Sequence, residues 1–127
     1  FKVHSVIAGA FGLGLLFIPD VVGQKMAPGR VISAEERLAL QSWAAFMLLA
    51  AGVAKAAATF PPLSQLAVAR VFAVSMSICT IVWAKAFFID LANKPDEYRA
   101  SVAATGLLFF GIAMAYILGI RAARKAR

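Results

Sequence analysis

The stretch FMLLAAGVAKAAATFPPLSQLAVARVF, residues 46–72, is apolar almost throughout and breaks once, at Pro61-Pro62. It contains two cations, Lys55 and Arg70, one on each side of the break, and no acidic residue. Proline cannot continue a helix because it lacks the backbone N–H. The stretch therefore predicts two apolar helices joined by a short turn, with a positive charge close to that turn on each helix.

The composition of the whole chain is that of an integral membrane protein. Hydrophobic residues make up 62% of the 127 residues and charged residues 15%, against roughly 45–50% and about 25% in ordinary globular domains. The net charge of +7 does not indicate nucleic-acid binding, because the cations lie at the ends of apolar runs rather than on one wet face. We expect one transmembrane domain over residues 1–127.

Four apolar runs predict an all-α four-helix bundle. The first ends at Pro19-Asp20, and the second begins with a capping box, in which Ser33 and Glu36 satisfy free N–H groups at a helix start. Ser64 is a candidate N-cap for the third helix, and a turn is expected at 93–96. The loop 21–32 contains Gly, Pro and apolar residues and is expected to lie at a membrane surface. The predicted helices are approximately 3–18, 34–59, 64–91 and 97–121.

The cations divide unequally between the two ends of such a bundle. One end would hold both termini and the 60–64 turn, with seven cations and no acid; the other would hold the remaining six cations and all six acids. This asymmetry follows the positive-inside rule, so we expect both termini on the same side, facing the cytosol, stroma or matrix. The cations of the basic end are Lys2, Lys55, Arg70, Arg121, Arg124, Lys125 and Arg127.

Lys55 and Arg70 have two interpretations. The simpler is that their long stems let the charges reach the headgroup layer. The other is that they hold an anionic group, such as a lipid phosphate or a partner's carboxylate. Arg121 and Arg124, near the C-terminus, are further candidates for contacts with lipids or with a partner.

Two polar residues are candidate chlorophyll ligands. His4 is the only histidine and would reach a magnesium from a helix end, and Gln41 lies one turn inside the second helix beside Trp43. The alternatives are an interfacial role for His4 and a hydrogen bond from Gln41 to a neighbouring helix. The E-x-x-H/N-x-R spacing of light-harvesting proteins is absent from the sequence.

The sequence contains no recognisable catalytic set. No Ser-His-Asp combination, H-E-x-x-H motif, phosphate-binding glycine loop or metal-ligand cluster is present, and Cys79 is the only cysteine. A stand-alone membrane enzyme or carrier for a lipophilic molecule such as a quinone or a sterol remains an alternative. It would need a cavity lined by polar residues of the spans, which are Gln41, Ser75, Ser77, Thr80 and Lys85.

The run GLGLLFIPD (Gly12–Asp20), the capped second helix, the short hairpin and Arg70 near the start of the third helix resemble small four-helix membrane proteins of the DoxX-like type. Some members of that class are accessory subunits of redox complexes, so the resemblance implies a bundle with an accessory role. The enzymatic roles found in the class do not carry over, because no residue diagnostic of them is present here.

Small residues on the helices, as in Ala10-x-x-x-Gly14 and Gly111-x-x-x-Ala115-x-x-x-Gly119, favour close contact with other helices. The start at Phe1 rather than Met agrees with an imported, processed protein. We therefore expect a non-catalytic accessory subunit of an organellar energy-converting complex, most specifically a photosystem I–antenna supercomplex in the thylakoid, with chlorophyll and carotenoid at its periphery. Its partners would be other membrane subunits and lipids. A respiratory complex of the mitochondrial inner membrane is the second possibility.

Overall fold

The computed structural model describes residues 1–90 and 96–125, and over these residues the chain is helical with no strand. The all-α prediction is therefore confirmed. The helices are α1 (Lys2–Phe17), α2 (Pro19–Met26), α3 (Ala34–Ala57), α4 (Pro62–Lys85), a π-helical turn (Ala86–Asp90) and α5 (Asp96–Lys125).

The helices form two compact units, residues 1–59 and residues 60–127. In the first unit, here called the first hairpin, α1 packs antiparallel against α3. The two backbones come close at Gly12, where an added Cβ would lie 3.0 Å from the Leu48 side chain and 3.2 Å from the Leu48 nitrogen. Nearby, Phe11 and Trp43 meet edge to face with their centroids 6.3 Å apart. The close approach uses Gly12 rather than the predicted Ala10, which is exposed.

The predicted loop 21–32 begins inside a helix that the sequence reading missed. Pro19 ends α1 and also occupies the first turn of α2, where its missing N–H costs nothing. The chain bends by 113° between the two helices. Gly23 of α2 is buried, and a Cβ there would lie 2.9 Å from Ile32 and 3.1 Å from Leu40. The segment thus packs on the start of α3 instead of forming an open loop.

The start of α3 has the predicted capping box. The Glu36 amide donates to Ser33 Oγ at 3.2 Å, and the Ser33 amide donates to Glu36 Oε2 at 3.0 Å. Arg30 pairs with the other oxygen of Glu36, and Arg37 Nε donates to Asp20 of α2 at 3.0 Å. This group of polar contacts joins α2, the connecting loop and α3.

In the second unit, the second hairpin, α4 packs antiparallel against α5 through aromatic rings. Phe72 stacks on Tyr116 with 5.5 Å between centroids, and Trp83 meets Phe109 at 6.3 Å. Between these pairs lie buried Met76 and, on α5, Ala113. Large side chains therefore fill the space between α4 and α5.

The boundaries of the second hairpin differ from those predicted. Helix α4 begins at Pro62 with Pro61 as its N-cap, so the prediction of Ser64 as N-cap was wrong. A proline suits a helix start because its φ is already helical and its absent N–H has no intrahelical partner there. The α-helical hydrogen bonding ends at Lys85 and continues as a π-helical turn, and α5 runs to Lys125. The predicted turn at 93–96 lies outside the described residues, apart from Asp96.

Three helical stretches are long and apolar enough to cross a membrane, or four if the bent α1–α2 pair is one broken span. Their most apolar windows have mean hydropathies of 1.4, 1.9 and 2.0, yet only 11%, 22% and 17% of those windows are buried. The chain thus has the composition of a membrane protein and leaves most of its apolar helix surface outward. The joining of both hairpins into one bundle and the side of the termini stay predictions.

Candidate functional site

Charge is separated along the first hairpin. Lys2 lies at the start of α1 and Lys55 in the last turn of α3, and the antiparallel packing puts both at one end. All the acids of this part of the sequence, which are Asp20, Glu35 and Glu36, belong to α2 and the start of α3 at the other end. The first hairpin thus has one purely basic end and one mixed end.

The second hairpin shows the same separation. Arg70 near the start of α4 and Arg121 and Arg124 near the end of α5 are exposed, and they lie at the end marked by the Phe72–Tyr116 stack. The structure therefore brings these three predicted contact residues to one end of this hairpin. Whether they bind lipid or a partner stays a prediction.

The basic end of the first hairpin contains a groove of about 640 Å³, here called the basic groove. It is lined by the two lysines, by hydroxyl residues and by small residues; among these are Lys2, Ser5, Ala51, Gly52, Lys55 and Thr59. Both hydroxyls donate to backbone carbonyls of their own turn at 2.8 Å. The ammonium groups are therefore the donors that the groove offers to an incoming anion, and the small residues leave room for an apolar chain beneath them.

Gln41 makes the interhelical hydrogen bond that was the alternative to pigment binding. Its Nε2 donates to the carbonyl oxygen of Leu16 at 3.2 Å. The last carbonyls of a helix have no intrahelical partner, and Leu16 lies in the last turn of α1 just before the bend. The Gln41 side chain thus supplies a donor to a carbonyl at the C-terminal end of α1. A magnesium would bind Oε1, an atom that this hydrogen bond does not use, so pigment ligation stays a prediction.

His4 lies inside the first hairpin. It is 5% exposed and is the only polar or charged residue among the buried ones of the described chain. A chlorophyll ligand must present its nitrogen at a surface that a flat macrocycle can reach. Ligation by His4 stays a prediction, and it requires the imidazole to become accessible.

A second groove runs between α4 and α5 and is here called the aromatic groove. Its volume is about 430 Å³. The lining is mainly aromatic and aliphatic and includes Trp83, Phe87, Phe88, Leu107 and Phe110, with the hydroxyl residue Thr80 beside them. Sites for small molecules are typically of ~300–1,000 Å³ with mostly apolar walls. The groove therefore has the size and the lining to hold an apolar ligand.

The polar cavity expected for a carrier stays a prediction, and four of its five predicted residues belong to the second hairpin. Of its four predicted residues there, Thr80 lines the aromatic groove, whereas Ser75, Ser77 and Lys85 do not. The hydroxyls of Ser77 and Thr80 donate to carbonyls four residues earlier, each at 2.8 Å. These two hydroxyls therefore use their protons in hydrogen bonds to the backbone of α4.

No protein-family model, no curated protein and no solved structure matches this chain. The resemblance to DoxX-like proteins stays an expectation from the sequence. Within residues 1–90 and 96–125, no three His, Cys, Asp or Glu side chains come together as a metal site.

Two features of these sites escaped the sequence reading. The first is that Lys2 and Lys55, more than fifty residues apart, line one groove; only the pairing of α1 with α3 reveals it. The second is Arg99, whose guanidinium carbon lies 4.8 Å from the centroid of the Phe87 ring. The sequence could have indicated this position, because Arg99 lies on the same helix face as Val102, Ala103 and Gly106, which follow it at helical spacing.

Proposed function

We propose that this chain is a non-catalytic accessory subunit of a larger membrane complex. The observation that carries the proposal is the exposure of its apolar helix faces: between 11% and 22% of each span window is buried by the chain itself. A single chain that worked alone would need those faces for lipid only. A subunit uses them for neighbouring helices and bound cofactors as well.

The outer face of α5 supports contact with another helix. Gly111, Ala115 and Gly119 follow each other at four-residue spacing and are all exposed, and a Cβ added at either glycine would meet nothing within 4 Å. Small residues at this spacing let two membrane helices approach closely. The stripe on α5 is thus open to a partner, whereas the small residue Gly12 of α1 already packs against α3 within the first hairpin.

Among membrane complexes, the proposal is a photosystem I–antenna supercomplex of the thylakoid. Exposed aromatic side chains outside the aromatic groove, such as Phe17 and Phe46, which are 74% and 67% exposed, offer surfaces on which chlorophyll or carotenoid can rest. Pigments at such a surface need few protein ligands. Gln41 and His4 remain the candidates for direct ligation. The basic ends of both hairpins would face the stroma, where the positive-inside rule places them.

The experiment is affinity isolation of the tagged full chain from its native membranes in mild detergent, followed by an absorption spectrum and identification of the co-purifying subunits. A photosystem subunit brings down chlorophyll absorption and the reaction-centre proteins. An identically tagged, unrelated membrane protein of the same organelle is the control. A colourless isolate containing respiratory subunits would reject the photosystem and favour the mitochondrial alternative.

The second candidate is a stand-alone carrier or enzyme for a lipophilic small molecule. The aromatic groove favours it, because that groove provides an apolar site of suitable size in one hairpin. The distribution of polar side chains weakens it, since only Thr80 of the predicted polar residues lines the groove. Isolation of the chain alone, with a stoichiometric small molecule, would support this candidate over the accessory subunit.

A further inference from the structure

We propose that the aromatic groove holds an acyl chain of an anionic membrane lipid and that the phosphate of this lipid binds Arg99. The inference requires the second hairpin to lie in a membrane, but it does not depend on the chain being a photosystem subunit. It assigns a ligand of defined chemistry to one groove and one cation of the second hairpin.

The groove provides the site for the hydrocarbon part. Its α4 wall includes Trp83, Phe87 and Phe88, and its α5 wall includes Leu107 and Phe110. A saturated chain can contact these rings along its length, and dispersion contacts of this kind are small singly but add up over a chain. The groove is open along one side, so a lipid can enter from the surrounding membrane without passing through the hairpin.

Arg99 lies on the same face of α5 as the groove residues, on their N-terminal side. The α5 residues of the groove are Val102, Ala103, Gly106, Leu107 and Phe110. Arg99 precedes them by three, four, seven, eight and eleven positions, which is the spacing of neighbours on one helix face. A ligand that follows this face toward the start of α5 therefore reaches the guanidinium.

The guanidinium is held in place by an aromatic ring, and among the described side chains one exposed acid lies beside it. It lies over the Phe87 ring at 4.8 Å, and its side chain remains 32% exposed. Its Nε is buried, with no hydrogen-bond acceptor among the described residues. The acid recorded beside it, Asp96, is 3.8 Å away and fully exposed, and such surface pairs contribute little. Arg99 is therefore oriented by an aromatic wall of the groove while retaining charge for an anion.

The position along the helix suits a lipid headgroup. Arg99 lies in the first turn of α5, and a long cationic side chain at the end of an apolar span can extend to the headgroup layer. The start of α5 also carries the positive end of the helix dipole, which favours an anion. Arginine binds phosphate through paired N–H donors. Phosphate at Arg99 and an acyl chain in the groove thus match the two parts of one lipid.

The wall beside Arg99 has an unusual backbone. Phe87 and Phe88 belong to the π-helical turn that follows α4, and their rings meet edge to face with centroids 4.9 Å apart. Turns of this type occur preferentially at functional sites, because they redirect side chains that a regular helix would place elsewhere. Here both rings line the groove, and one of them supports the guanidinium.

The test uses the full chain in nanodiscs of equal parts phosphatidylglycerol and phosphatidylcholine, with retained lipids counted by native mass spectrometry after release. We expect the wild type to keep one phosphatidylglycerol in preference to phosphatidylcholine. Arg99→Gln should reduce that retention about tenfold through loss of the charge-assisted hydrogen bonds. Lys25→Gln, an equal charge change at an exposed position of α2 in the first hairpin, should leave retention unchanged.

A second pair of variants tests the groove itself. Ala84 lines the groove and is exposed. The ring introduced by Ala84→Phe can therefore occupy the groove without disturbing the contacts between α4 and α5, and we expect lipid retention to fall. Ala104 is exposed on α5 outside the groove, and Ala104→Phe should retain the lipid as the wild type does. Circular dichroism verifies that each variant keeps its helicity, so that a loss of lipid is not a loss of fold.

Several outcomes would overturn the proposal. One is equal retention of phosphatidylcholine by the wild type, and another is retention of phosphatidylglycerol by Arg99→Gln at the wild-type level. A neutral lipid or a pigment in the groove of the protein isolated from its own membranes would also overturn it. In a separate arm, the delipidated protein is exposed to inorganic phosphate. Binding of that ion as tight as binding of the lipid would show an anion site without an acyl-chain site.

Discussion

Each hairpin packs two antiparallel helices together, the first through a small residue and the second through large aromatic rings. In the first, a glycine lets the backbones of α1 and α3 approach until a Cβ at Gly12 would lie 3.2 Å from a backbone nitrogen. In the second, rings at Phe72, Trp83 and Phe109 stand between α4 and α5. The groove of the first hairpin lies at its basic end and has two lysines in its lining, whereas the rings of the second hairpin line a groove with almost entirely apolar walls. The comparison is the reason why the acyl-chain site is proposed for the second hairpin.

The substitution Gly12→Leu is expected to have the largest effect. The Leu48 nitrogen cannot move without moving α3, so the new side chain separates the helices and lowers the free energy of unfolding by about 3 kcal/mol. The measurement is denaturation in detergent followed by circular dichroism. Gly52→Leu is the matched control, because a Cβ at Gly52 meets nothing within 4 Å. Equal destabilisation by both variants would contradict the close approach at Gly12.

The corresponding change in the second hairpin is Phe109→Ala. Phe109 is buried against Trp83 and Met76, and in lipid its loss removes packing contacts but little hydrophobic transfer energy. We therefore expect about 2 kcal/mol of destabilisation, at the lower end of values for Phe→Ala in water-soluble cores. Phe110→Ala, at an exposed neighbouring ring, should change the unfolding free energy by less than about 0.5 kcal/mol. The same denaturation measurement checks both, and a reversed order would refute the ring-filled interface.

The helix starts also differ between the hairpins. Ser33 caps α3 with its side chain, whereas α4 begins with two prolines. We expect Ser33→Ala to cost about 1 kcal/mol, because the Glu36 amide loses its acceptor. Ser64→Ala should be nearly neutral, since Ser64 is not the cap of α4. Thermal melts of the two variants compare these values. A larger loss for Ser64→Ala would restore the sequence-based assignment of that cap.

The smallest effect is expected at the polar contacts that tie α2 to α3. Arg37 and Asp20 are 47% and 45% exposed, and ion pairs with this exposure contribute roughly 0.5 kcal/mol. A double-mutant cycle of Arg37→Gln and Asp20→Asn measures the coupling directly. It should fall further as salt is raised, because ions screen exposed charges. A coupling above about 2 kcal/mol would mean that the pair, rather than glycine packing, holds the mixed end of the first hairpin.

Features governed by neighbouring residues could be predicted from the sequence. The capping box at Ser33 and the turn at Pro61-Pro62 depend on local geometry, and both were found. The helix α2 was missed because Pro19 was read only as a helix end, although a proline also begins helices. The π-helical turn was missed because no local sequence pattern distinguishes such a turn from a continuing α-helix. The position of the cations at the ends of the helices follows from the helix boundaries alone, whereas the side of the membrane that each end faces stays a prediction.

The candidate sites were less accessible to sequence reasoning. Lys55 was singled out, but its neighbour Lys2 in the basic groove depends on the register between α1 and α3, which no local pattern defines. Gln41 was considered as a ligand, and the structure adds a donor role toward Leu16 at the end of α1. Arg99 was counted only as one cation of the mixed end. Its contact with Phe87 arises from the pairing of α4 with α5.

The central claim is that this chain is part of a larger membrane assembly. The most direct test is migration of the endogenous protein on a native gel after solubilisation in mild detergent, with detection by antibody. The account predicts that the chain migrates in a band many times heavier than its own 13.5 kDa plus a detergent micelle, together with other subunits. Migration as a small species, alone in its micelle under conditions that preserve the known complexes of the same membrane, would contradict the account.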